Sequence, residues 1–466
     1  MKKAGLLLAL LLSVSMLPGC GSEVEDDTIV LRVSNWEEYI DLGEWEEDEL
    51  IDLEDGTEII GENPMYEDFE EWYFETYGKK VKVEYSTFGT NEDLYNRLTI
   101  GDVYDLACPS EYMIMKMMRE GMLVPLSEDF YDTSIEENYY AKGVSPYISG
   151  VYDELSINGE SISKYAAGYM WGTLGLVYNP EEISREEASS WNLLINPDYY
   201  RKVTIKDSVR DAYFAAIAIN YYDEITDSAF INADDYQKKL SEVLNRTDAK
   251  TVTAVQKVLS QAKDNVYAFE TDAGKADMVT GKVLANEQWS GDAVYTMDQA
   301  DEDDVVLEYS APEEGTNLWF DGWVMLKNGI RDDADKKHAA QAFINYVSAP
   351  ENAIRNMYYI GYTSVISGGD SDLIFEYMDW NYGADDDEED VVEYPVGYFF
   401  DMEDENADSE YCITTTEDQT RRQLYAQYPP KEVVDRSVVM ACFEDVDNVR
   451  INRMWTNIRC FDFFSK

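Results

Sequence analysis

The amino-acid sequence predicts an α/β fold with a mainly parallel sheet. Residues 29–33, in "IVLRVSNW", and 81–85, in "KVKVEYSTF", place an apolar side chain at every second position, as half-buried strands do. Asn91, followed by Leu94 and Leu98, marks a capped helix start, and "DVYDLACPS" predicts the next strand. A strand, a helix and a strand in succession are typical of a parallel sheet, whose ligands bind beyond the carboxyl ends of the strands.

Later segments continue this pattern over a chain long enough for two lobes. "RKVTIKD" and "DNVYAFE" predict short buried strands, and residues 234–246 and 335–350 predict helices. The chain has 466 residues, 45% of them hydrophobic. Because single cores stop growing at roughly 250 to 300 residues, two packed lobes are expected.

The net charge is strongly negative. The chain carries 95 acidic and 37 basic residues, which gives a net charge of -58. Such a surface repels nucleic acid and anionic lipid and attracts cations, so no nucleic-acid partner is expected. Most of these carboxylates are explained by solubility or by the ionic habitat, and only a few are needed to bind a cationic ligand.

The amino terminus predicts export and a lipid anchor. Two lysines precede a short apolar stretch at 6–17, and "LPGC" ends at Cys20 in a sequence that resembles the bacterial lipobox. We therefore expect a signal peptide at 1–19, lipidation of Cys20 and a polar tether at 20–28. The protein is then expected on the extracellular face of the cytoplasmic membrane or in the periplasm, held to the membrane only by its lipid.

The remaining cysteines predict no metal site. Their spacings match no zinc pattern, and the chain has a single histidine. An exported location permits disulfides, and a bridge is expected among the three cysteines of the last sixty residues, with no pair favoured. The four cysteines that follow the lipobox are Cys108, Cys412, Cys442 and Cys460.

Two acidic segments are predicted as exposed insertions. They lie at about 42–65 and 370–410, and the second contains the run Asp385 to Asp390. Both are expected to be partly disordered. No twelve-residue loop has the spacing of an EF-hand, so a solvated acidic surface is favoured over calcium binding.

Aromatic and acidic side chains recur at the predicted ends of strands, and "NLWFDGW" places a carboxylate among three aromatic rings. If these strand ends converge, they form a slot with aromatic walls and several carboxylates. An ammonium ion regains its lost hydration through charge-assisted hydrogen bonds to carboxylates and through cation–π contacts, while methylenes lie against the rings. The slot therefore predicts a linear cation with an aliphatic spine. Taken singly, any of these aromatic residues is more often a core residue. The candidate residues are Trp36, Tyr39, Ser110, Tyr112, Ser208, Asp211, Trp289, Asp292, Trp319, Asp321 and Tyr362.

Seven motifs in register resemble the polyamine-binding proteins of bacterial ABC importers. They are "NWEEY", "CPSEYMIMKMMREGML", "YMWGTLGLVYN", "SVRDAYF", "QWSGD", "WFD" and "IGY", within roughly residues 28–367. The resemblance implies the type II periplasmic-binding fold, in which two α/β lobes enclose a ligand cleft. It also implies a polyamine ligand, ABC permease subunits as partners, a monomer, no cofactor and no catalysis.

The resemblance also assigns roles to the candidate residues. It implies that the first lobe lines the cleft with Trp36, Tyr39, Ser110 and Tyr112. It implies aromatic walls at Trp289 and Trp319, the principal amine anchor at Asp321, a second amine-gripping carboxylate at Asp211 and a further contact at Tyr362. Asp292 stands where putrescine binders carry an acidic ligand residue, and Ser208 stands where the spermidine binder has an aspartate. These two positions favour a diamine.

The expected lobes are each made of two chain segments. The first comprises 29–168 and 321–363, and the second comprises 169–320 and 364–466, with crossings near 165–175, 319–322 and 362–366. Two alternatives stay open. One is a secreted glycoside hydrolase that uses paired carboxylates, and the other is a binding protein for another cationic solute.

Overall fold

The computed structural model describes residues 27–46, 49–385, 388–402, 404 and 406–460. The predicted signal peptide, Cys20 and most of the predicted tether lie outside the described residues. Within those residues, no helix combines the length and the apolar character that crossing a membrane requires.

The described part of the chain alternates strands and helices. In chain order the strands are β1 (Ile29–Trp36), β2 (Ile51–Asp52), β3 (Glu58–Ile59), β4 (Val81–Phe88), β5 (Leu106–Ala107), β6 (Leu123–Val124), β7 (Ser156–Ile157), β8 (Glu160–Ser161), β9 (Ala166–Tyr178), β10 (Val203–Lys206), β11 (Ala268–Glu270), β12 (Ala285–Trp289), β13 (Glu308–Ser310), β14 (Thr316–Leu326), β15 (Thr363–Ser364), β16 (Val391–Pro395), β17 (Cys412–Thr416) and β18 (Ser437–Val438).

The α-helices surround these strands. In chain order they are α1 (Met65–Tyr77), α2 (Asn91–Ile100), α3 (Glu111–Arg119), α4 (Tyr139–Gly143), α5 (Pro146–Glu154), α6 (Arg185–Ala188), α7 (Val209–Asn220), α8 (Tyr222–Ile225), α9 (Ser228–Ile231), α10 (Tyr236–Leu244), α11 (Ala249–Asn265), α12 (Ala273–Val279), α13 (Ser290–Glu302), α14 (Lys327–Ile330), α15 (Ala334–Val347), α16 (Pro350–Ile360), α17 (Leu373–Tyr382), α18 (Gly397–Phe400), α19 (Ala407–Glu410), α20 (Gln423–Gln427), α21 (Lys431–Asp435) and α22 (Asp445–Cys460).

The predicted strands at the start and in the middle of the chain are confirmed. "IVLRVSNW" forms β1, "KVKVEYSTF" contains β4, and "RKVTIKD" contains β10. The predicted helix start at Asn91 is confirmed, and the Thr90 hydroxyl caps α2 by accepting from the backbone N–H of Asp93 at 3.1 Å.

The main sheet has parallel ends and an antiparallel middle. Eight of its twelve strands within the described residues follow the order β11-β10-β12-β9-β14-β5-β1-β4, and β6, β13, β15 and β18 pair with β9 or β14 beside this path. Strand β1 pairs in parallel with β4 and β5, and β10 pairs in parallel with β11 and β12. Between these groups, β9 and β14 run antiparallel to each other. Parallel pairing is thus present at both ends of the sheet, as predicted, but the sheet is not mainly parallel. Strand β9 pairs antiparallel with β12, β13, β14 and β15, and β14 pairs antiparallel with β5 and β6.

Strands β9 and β14 are buried along their whole length. Their sequences, "AAGYMWGTLGLVY" and "TNLWFDGWVML", therefore lack the alternation of a strand that faces water on one side. The residues of β9 up to Trp171 pack in a first hydrophobic core, and those from Leu174 to Leu176 pack in a second. The aspartate at 321 is carried by one of these two connecting strands.

The prediction of a disordered insertion at about 42–65 is wrong for the residues described there. Ile51, Leu53 and Ile59 are buried in the first core, and β2 and β3 form a small hairpin. At the entry to this segment, Asp41 is paired with Arg355 and accepts the Trp45 indole N–H at 3.1 Å. The segment is acidic on average, but a few buried apolar side chains pack it against the core.

The prediction of an exposed insertion at 370–410 is wrong for part of that range. Helix α17 buries Ile374, Tyr377 and Met378 in the first core, and β16 pairs with β17. Residues 388–390, at the end of the acidic run, are exposed as expected, and 386–387 lie outside the described residues.

The carboxyl-terminal part of the chain contributes to both cores. Most buried hydrophobic side chains from Ile374 to Val434 pack in the first core, whereas those from Val438 to Ile458 pack in the second. Tyr425, Ala426 and Val433 pack in a smaller third cluster. The range 364–466, expected as one part of the second lobe, is therefore shared between the two cores. The lobe boundaries themselves stay a prediction.

The expected disulfide is not formed. Cys108, Cys412, Cys442 and Cys460 are all free within the described chain. Cys108 is buried in the first core, Cys412 lies in β17 and Cys460 is exposed at the end of α22.

Candidate functional site

The candidate residues follow the carboxyl ends of parallel strands. Trp36 ends β1, Ser110 and Tyr112 follow β5, and Trp289 ends β12. The segment after β10 continues into α7, which carries Asp211. Ser110 forms an isolated bridge with Asp321 of β14, and Trp289 pairs with Leu174 of β9, so these strand ends meet the two connecting strands, as expected for an α/β ligand site.

Asp321 is held by two hydroxyl groups. The Tyr39 hydroxyl donates to Oδ2 at 2.8 Å, and the Ser110 hydroxyl donates to Oδ1 at 2.7 Å. The side chain is 7% exposed, and it forms no ion pair with any described lysine or arginine. Burial raises the pKa of Asp321 to about 6, while the two hydroxyl hydrogen bonds oppose this rise. The carboxylate is therefore ionised at neutral pH, and the described residues supply it with no opposite charge.

An irregularity in β14 gives Asp321 its position. The pairing with β9 shifts register between Asp321 and Gly322, and Asp321 forms an isolated bridge with Ser110. The Gly322 N–H donates to the Pro109 carbonyl at 3.1 Å. A Cβ atom on Gly322 would lie 2.8 Å from the Tyr152 hydroxyl, so a larger residue would not fit without rearrangement. Bulges of this kind re-aim side chains next to functional sites.

Asn91 connects Ser110 with Tyr112. Its amide nitrogen donates to the Ser110 hydroxyl at 3.0 Å and to the Tyr112 hydroxyl at 2.9 Å, and its amide oxygen accepts the Ser110 N–H at 3.0 Å. The sequence analysis used Asn91 only as a marker for a helix start. A buried asparagine in the first turn of a helix at a strand end is the signal that would have suggested this role.

Tyr362 brings the two sides of the site together. Its ring packs edge-to-face with Tyr39, at a centroid distance of 4.9 Å, and with Trp319, at 5.7 Å. Its hydroxyl donates to Asp292 Oδ1 at 2.9 Å. Gly291 permits this packing, because a Cβ atom there would lie 2.5 Å from Cδ1 of the Tyr362 ring. The predicted contact residues Tyr39, Trp319 and Tyr362 thus form one aromatic cluster.

Asp292 is not the free carboxylate that the sequence suggested. It forms ion pairs with Lys206 at 2.9 Å and with Lys275 at 3.3 Å. Burial acts to raise the pKa of Asp292, but the two lysines and the Tyr362 hydroxyl outweigh burial and lower it to about 2. The expectation that Asp292 grips a ligand amine stays a prediction, and the two ammonium groups within ion-pair distance of it among the described residues belong to the protein.

Lys206 was missed by the sequence analysis. It is the last residue of β10, and its side chain is buried at 1% exposure. Its ammonium lies 4.3 Å from the centroid of the Trp289 ring and donates to the Thr271 carbonyl at 2.7 Å. A lysine at the carboxyl end of a buried strand, directly before the candidate segment "DSVRD", is the signal that was available.

Asp211 and Ser208 lie at the start of α7. The Ser208 hydroxyl accepts the Asp211 N–H at 3.4 Å and so caps the helix. Burial raises the pKa of Asp211, while hydrogen bonds from Ser208 and Trp289 and the charges of Lys206 and Arg210 oppose this rise. Asp211 forms no ion pair among the described residues. Ser208 has a clear structural role, and its predicted ligand contact stays a prediction.

Arg210 and Glu111 are two further buried groups near the site. The Arg210 guanidinium lies 4.5 Å from the centroid of the Tyr112 ring and donates to the Ala441 carbonyl at 2.7 Å. Glu111 accepts the Phe320 N–H at 3.0 Å. Burial raises the pKa of Glu111 to about 8, so its carboxyl group is largely protonated at neutral pH.

Trp36 and Trp319 contribute aromatic surface. Trp36 packs against Phe88 with a centroid distance of 4.8 Å. The Trp319 ring crosses β9 at Gly172, where a Cβ atom would lie 2.6 Å from Cζ2 of the indole. Both indole N–H groups are buried without an acceptor among the described residues. The structure links Trp319 directly to the cluster around Tyr362, whereas the role of Trp36 stays a prediction.

The described residues contain no group of three or more histidine, cysteine, aspartate or glutamate side chains that could hold a metal ion. The site instead combines buried carboxylates, hydroxyls and aromatic rings. This chemistry recognises an organic cation.

Comparisons with known proteins give a family and its relatives. The family model described as bacterial extracellular solute-binding protein matches residues 65–371. The spermidine/putrescine-binding periplasmic protein of Escherichia coli (strain K12) is 26% identical over 355 residues, which cover 76% of this chain and 82% of that protein. The putrescine-binding periplasmic protein of Pseudomonas aeruginosa (strain UCBPP-PA14) is 26% identical over 365 residues, which cover 75% of this chain and 82% of that protein.

A solved structure shows the same fold. The spermidine/putrescine ABC transporter substrate-binding protein of Streptococcus pneumoniae has a TM-score of 0.58 at 23% identity, over 92% of this chain and 98% of that one. The predicted α/β binding-protein fold with two lobes is thereby confirmed. The family model covers more than half of the chain. The chain therefore belongs to the bacterial extracellular solute-binding protein family.

Proposed function

We propose that this protein captures a polyamine outside the cytoplasmic membrane and delivers it to the permease of an ABC importer. The relatives from Escherichia coli and Pseudomonas aeruginosa are named as spermidine/putrescine-binding and putrescine-binding proteins. The observation that carries the proposal is Asp321, a buried carboxylate whose hydrogen-bond partners are the neutral hydroxyls of Tyr39 and Ser110.

A ligand ammonium completes this site. Two hydroxyl donors orient the carboxylate but leave its charge uncompensated, and a charged group in a buried position is costly until it is paired. The rings of Tyr39, Trp319 and Tyr362 lie beside it and offer cation–π attraction of about 0.5 to 2 kcal/mol each. They also offer a surface for methylenes, each of which releases roughly 0.8 kcal/mol on burial.

Binding couples the two sides of the cleft. Asp321 is carried by a connecting strand, Ser110 and Tyr112 belong to the side of the first core, and Trp289 and Asp211 belong to the side of the second. A solute that contacts both sides stabilises the closed arrangement over the open one, because only the closed arrangement provides all contacts. This is the behaviour that a permease needs in order to recognise a loaded binding protein.

The remaining features of the proposal follow from the sequence. The protein is tethered by lipid on Cys20, acts as a monomer and divides into lobes at 29–168 with 321–363 and at 169–320, with the residues after 364 shared between the two. It is a binding protein and not an enzyme. The membership in a solute-binding family supports this, and no observation favours a glycoside hydrolase. Another cationic solute remains the alternative that a ligand screen tests.

A thermal-shift screen tests the proposal. Putrescine and spermidine are expected to raise the melting temperature by several degrees, because a ligand at about 100 times its Kd adds about 2.7 kcal/mol to the free energy of unfolding. The matched control is 1,4-butanediol, which has the chain of putrescine without its charges and is expected to have no effect. Equal shifts with the diol, or none with either amine, would contradict the proposal.

A further inference from the structure

The end of the cleft at Asp292 contains a cation that belongs to the protein. The Lys206 ammonium lies 2.9 Å from Asp292 Oδ2 and 4.3 Å from the centroid of the Trp289 ring. It also donates to the Thr271 carbonyl at 2.7 Å. A carboxylate, an aromatic face and a carbonyl acceptor are the surroundings that a ligand alkylammonium requires. Lys206 therefore occupies a position built for an ammonium group.

This position is firmly held. Lys206 is 1% exposed, and its backbone N–H donates to Glu287 Oε2 at 2.9 Å. A second lysine, Lys275, lies 3.3 Å from the other oxygen of Asp292, which also accepts the Tyr362 hydroxyl. Three groups of the protein thus contact the Asp292 carboxylate, and the two lysines among them already neutralise its charge.

Two other buried carboxylates remain unpaired. Neither Asp321 nor Asp211 forms an ion pair with a lysine or arginine of the described chain, although the charges of Lys206 and Arg210 oppose the rise that burial causes in the pKa of Asp211. Asp211 lies beside Trp289, and Asp321 lies beside the cluster around Tyr362. Two carboxylates next to aromatic rings match the two ends of a diamine. A ligand ammonium that entered beside Asp292 would meet the ammonium of Lys206, and like charges repel strongly where water is excluded.

We propose that Lys206 is a specificity-determining residue whose tethered ammonium takes the place of a third ligand amine, so that the cleft accepts diamines and rejects triamines. The inference rests on the proposed function, which it narrows from polyamines in general to those with two charges. Lys206 acts on the ligand by direct repulsion, in addition to the ion pair that it forms with Asp292.

Calorimetry with Lys206→Met tests this role. Methionine keeps most of the length of the lysine stem and removes its charge. The wild-type protein is expected to bind putrescine at least tenfold more tightly than spermidine. In Lys206→Met, the affinity for spermidine should rise at least tenfold, while that for putrescine changes by less than about threefold. Lys206→Arg is the matched control, because it keeps the charge and should keep the preference for the diamine.

A ligand series tests the same idea without a substitution. Spermidine with one of its two primary amines acetylated is at least as long as the triamine and carries the charge of a diamine. The wild-type protein should bind at least one of the two monoacetylated spermidines more tightly than spermidine itself. If the length of the ligand determined its affinity, both acetylated forms would bind as weakly as spermidine or more weakly. That result would overturn the inference.

The outcomes separate the inference from the proposed function. Equal affinity of the wild-type protein for putrescine and spermidine, or an unchanged ratio in a folded Lys206→Met variant, overturns the inference alone. Absence of binding of both amines to both proteins overturns the proposed function, and the inference fails with it.

Discussion

At the scale of single residues, Asp321 and Asp292 show how surroundings set the behaviour of one residue type. Both are aspartates, and both are buried at 7% exposure. Two lysines lower the pKa of Asp292 to about 2, whereas burial with only hydroxyl partners raises the pKa of Asp321 to about 6. The first aspartate stabilises the fold. The second is kept at a cost to the fold, which is typical of a residue retained for binding.

This difference predicts that Asp321→Asn stabilises the ligand-free protein. Folding raises the pKa of Asp321. The protonated carboxyl group therefore stabilises the folded state below the unfolded pKa, and this contribution is lost as the pH rises through the folded pKa of about 6. At pH 7.5 the ionised form therefore costs on the order of 3 kcal/mol, which the neutral asparagine avoids. Urea denaturation should show the variant to be more stable than the wild type at pH 7.5, with a smaller difference at pH 5.

Asp292→Asn is the matched comparison for that measurement. Its pKa is lowered on folding, so the stability it contributes is present above its unfolded pKa and is lost only as the pH falls through about 2. This variant should be less stable than the wild type at both pH 5 and pH 7.5. An Asp321→Asn variant that loses stability to the same extent would show that Asp321 serves the fold.

At the scale of elements, the site depends on the two long connecting strands. The register shift after Asp321 turns its carboxylate towards Ser110 and Tyr39, and the small residues Gly322 and Gly172 let other groups approach the strands closely. Regular pairing along the whole of β14 would place the aspartate differently against β9. The local irregularity is what brings the carboxylate to the ends of the parallel strands.

The acidic segment before α1 depends on one buried arginine. Arg355 in α16 is paired with Asp41 and with Asp68, and it donates to the Asn63 carbonyl. Arg355 and Asp41 are almost fully buried, with side-chain exposures of 6% and 0%. This one guanidinium therefore connects the segment at both of its ends to the helices of the first core.

Arg355→Met is expected to destabilise the protein by about 3 to 5 kcal/mol, because Asp41 is left as a buried charge without its partner. Arg97→Met is the matched control. It breaks the exposed pair of Arg97 with Asp93, at 2.7 Å, and pairs of this kind contribute about 0 to 1 kcal/mol. Urea denaturation of the two variants measures the difference. A loss with Arg355→Met no larger than that with Arg97→Met would refute the anchoring role.

At the scale of the whole molecule, the sequence predicted which residue types line the cleft. It did not predict which of their charges are paired within the protein. Strand-end motifs in the order of a known family led to Tyr39, Ser110 and Asp321, and the structure places these three in direct contact. Lys206 could not be predicted as a partner of Asp292, because the two are far apart in sequence and only the pairing of β10 with β12 brings them together.

The peripheral segments show a different limit. Their acidic composition predicted disorder, but Ile51, Leu53 and Tyr377 are buried in the first core. Composition averages over a segment, whereas packing depends on a few apolar side chains at the right spacing. The division of the carboxyl-terminal region between two cores likewise follows from long-range packing, which local patterns do not encode.

The central claim is that the Asp321 carboxylate binds an ammonium group of the ligand. Calorimetry of putrescine binding to Asp321→Asn tests this claim most directly. Loss of one partner from a desolvated ion pair costs about 3 to 5 kcal/mol, so the affinity should fall by at least about 100-fold. The exposed Asp335→Asn, whose carboxylate pairs with Lys79, should bind as the wild type does. An Asp321→Asn variant that is folded and binds putrescine with unchanged affinity would contradict the account.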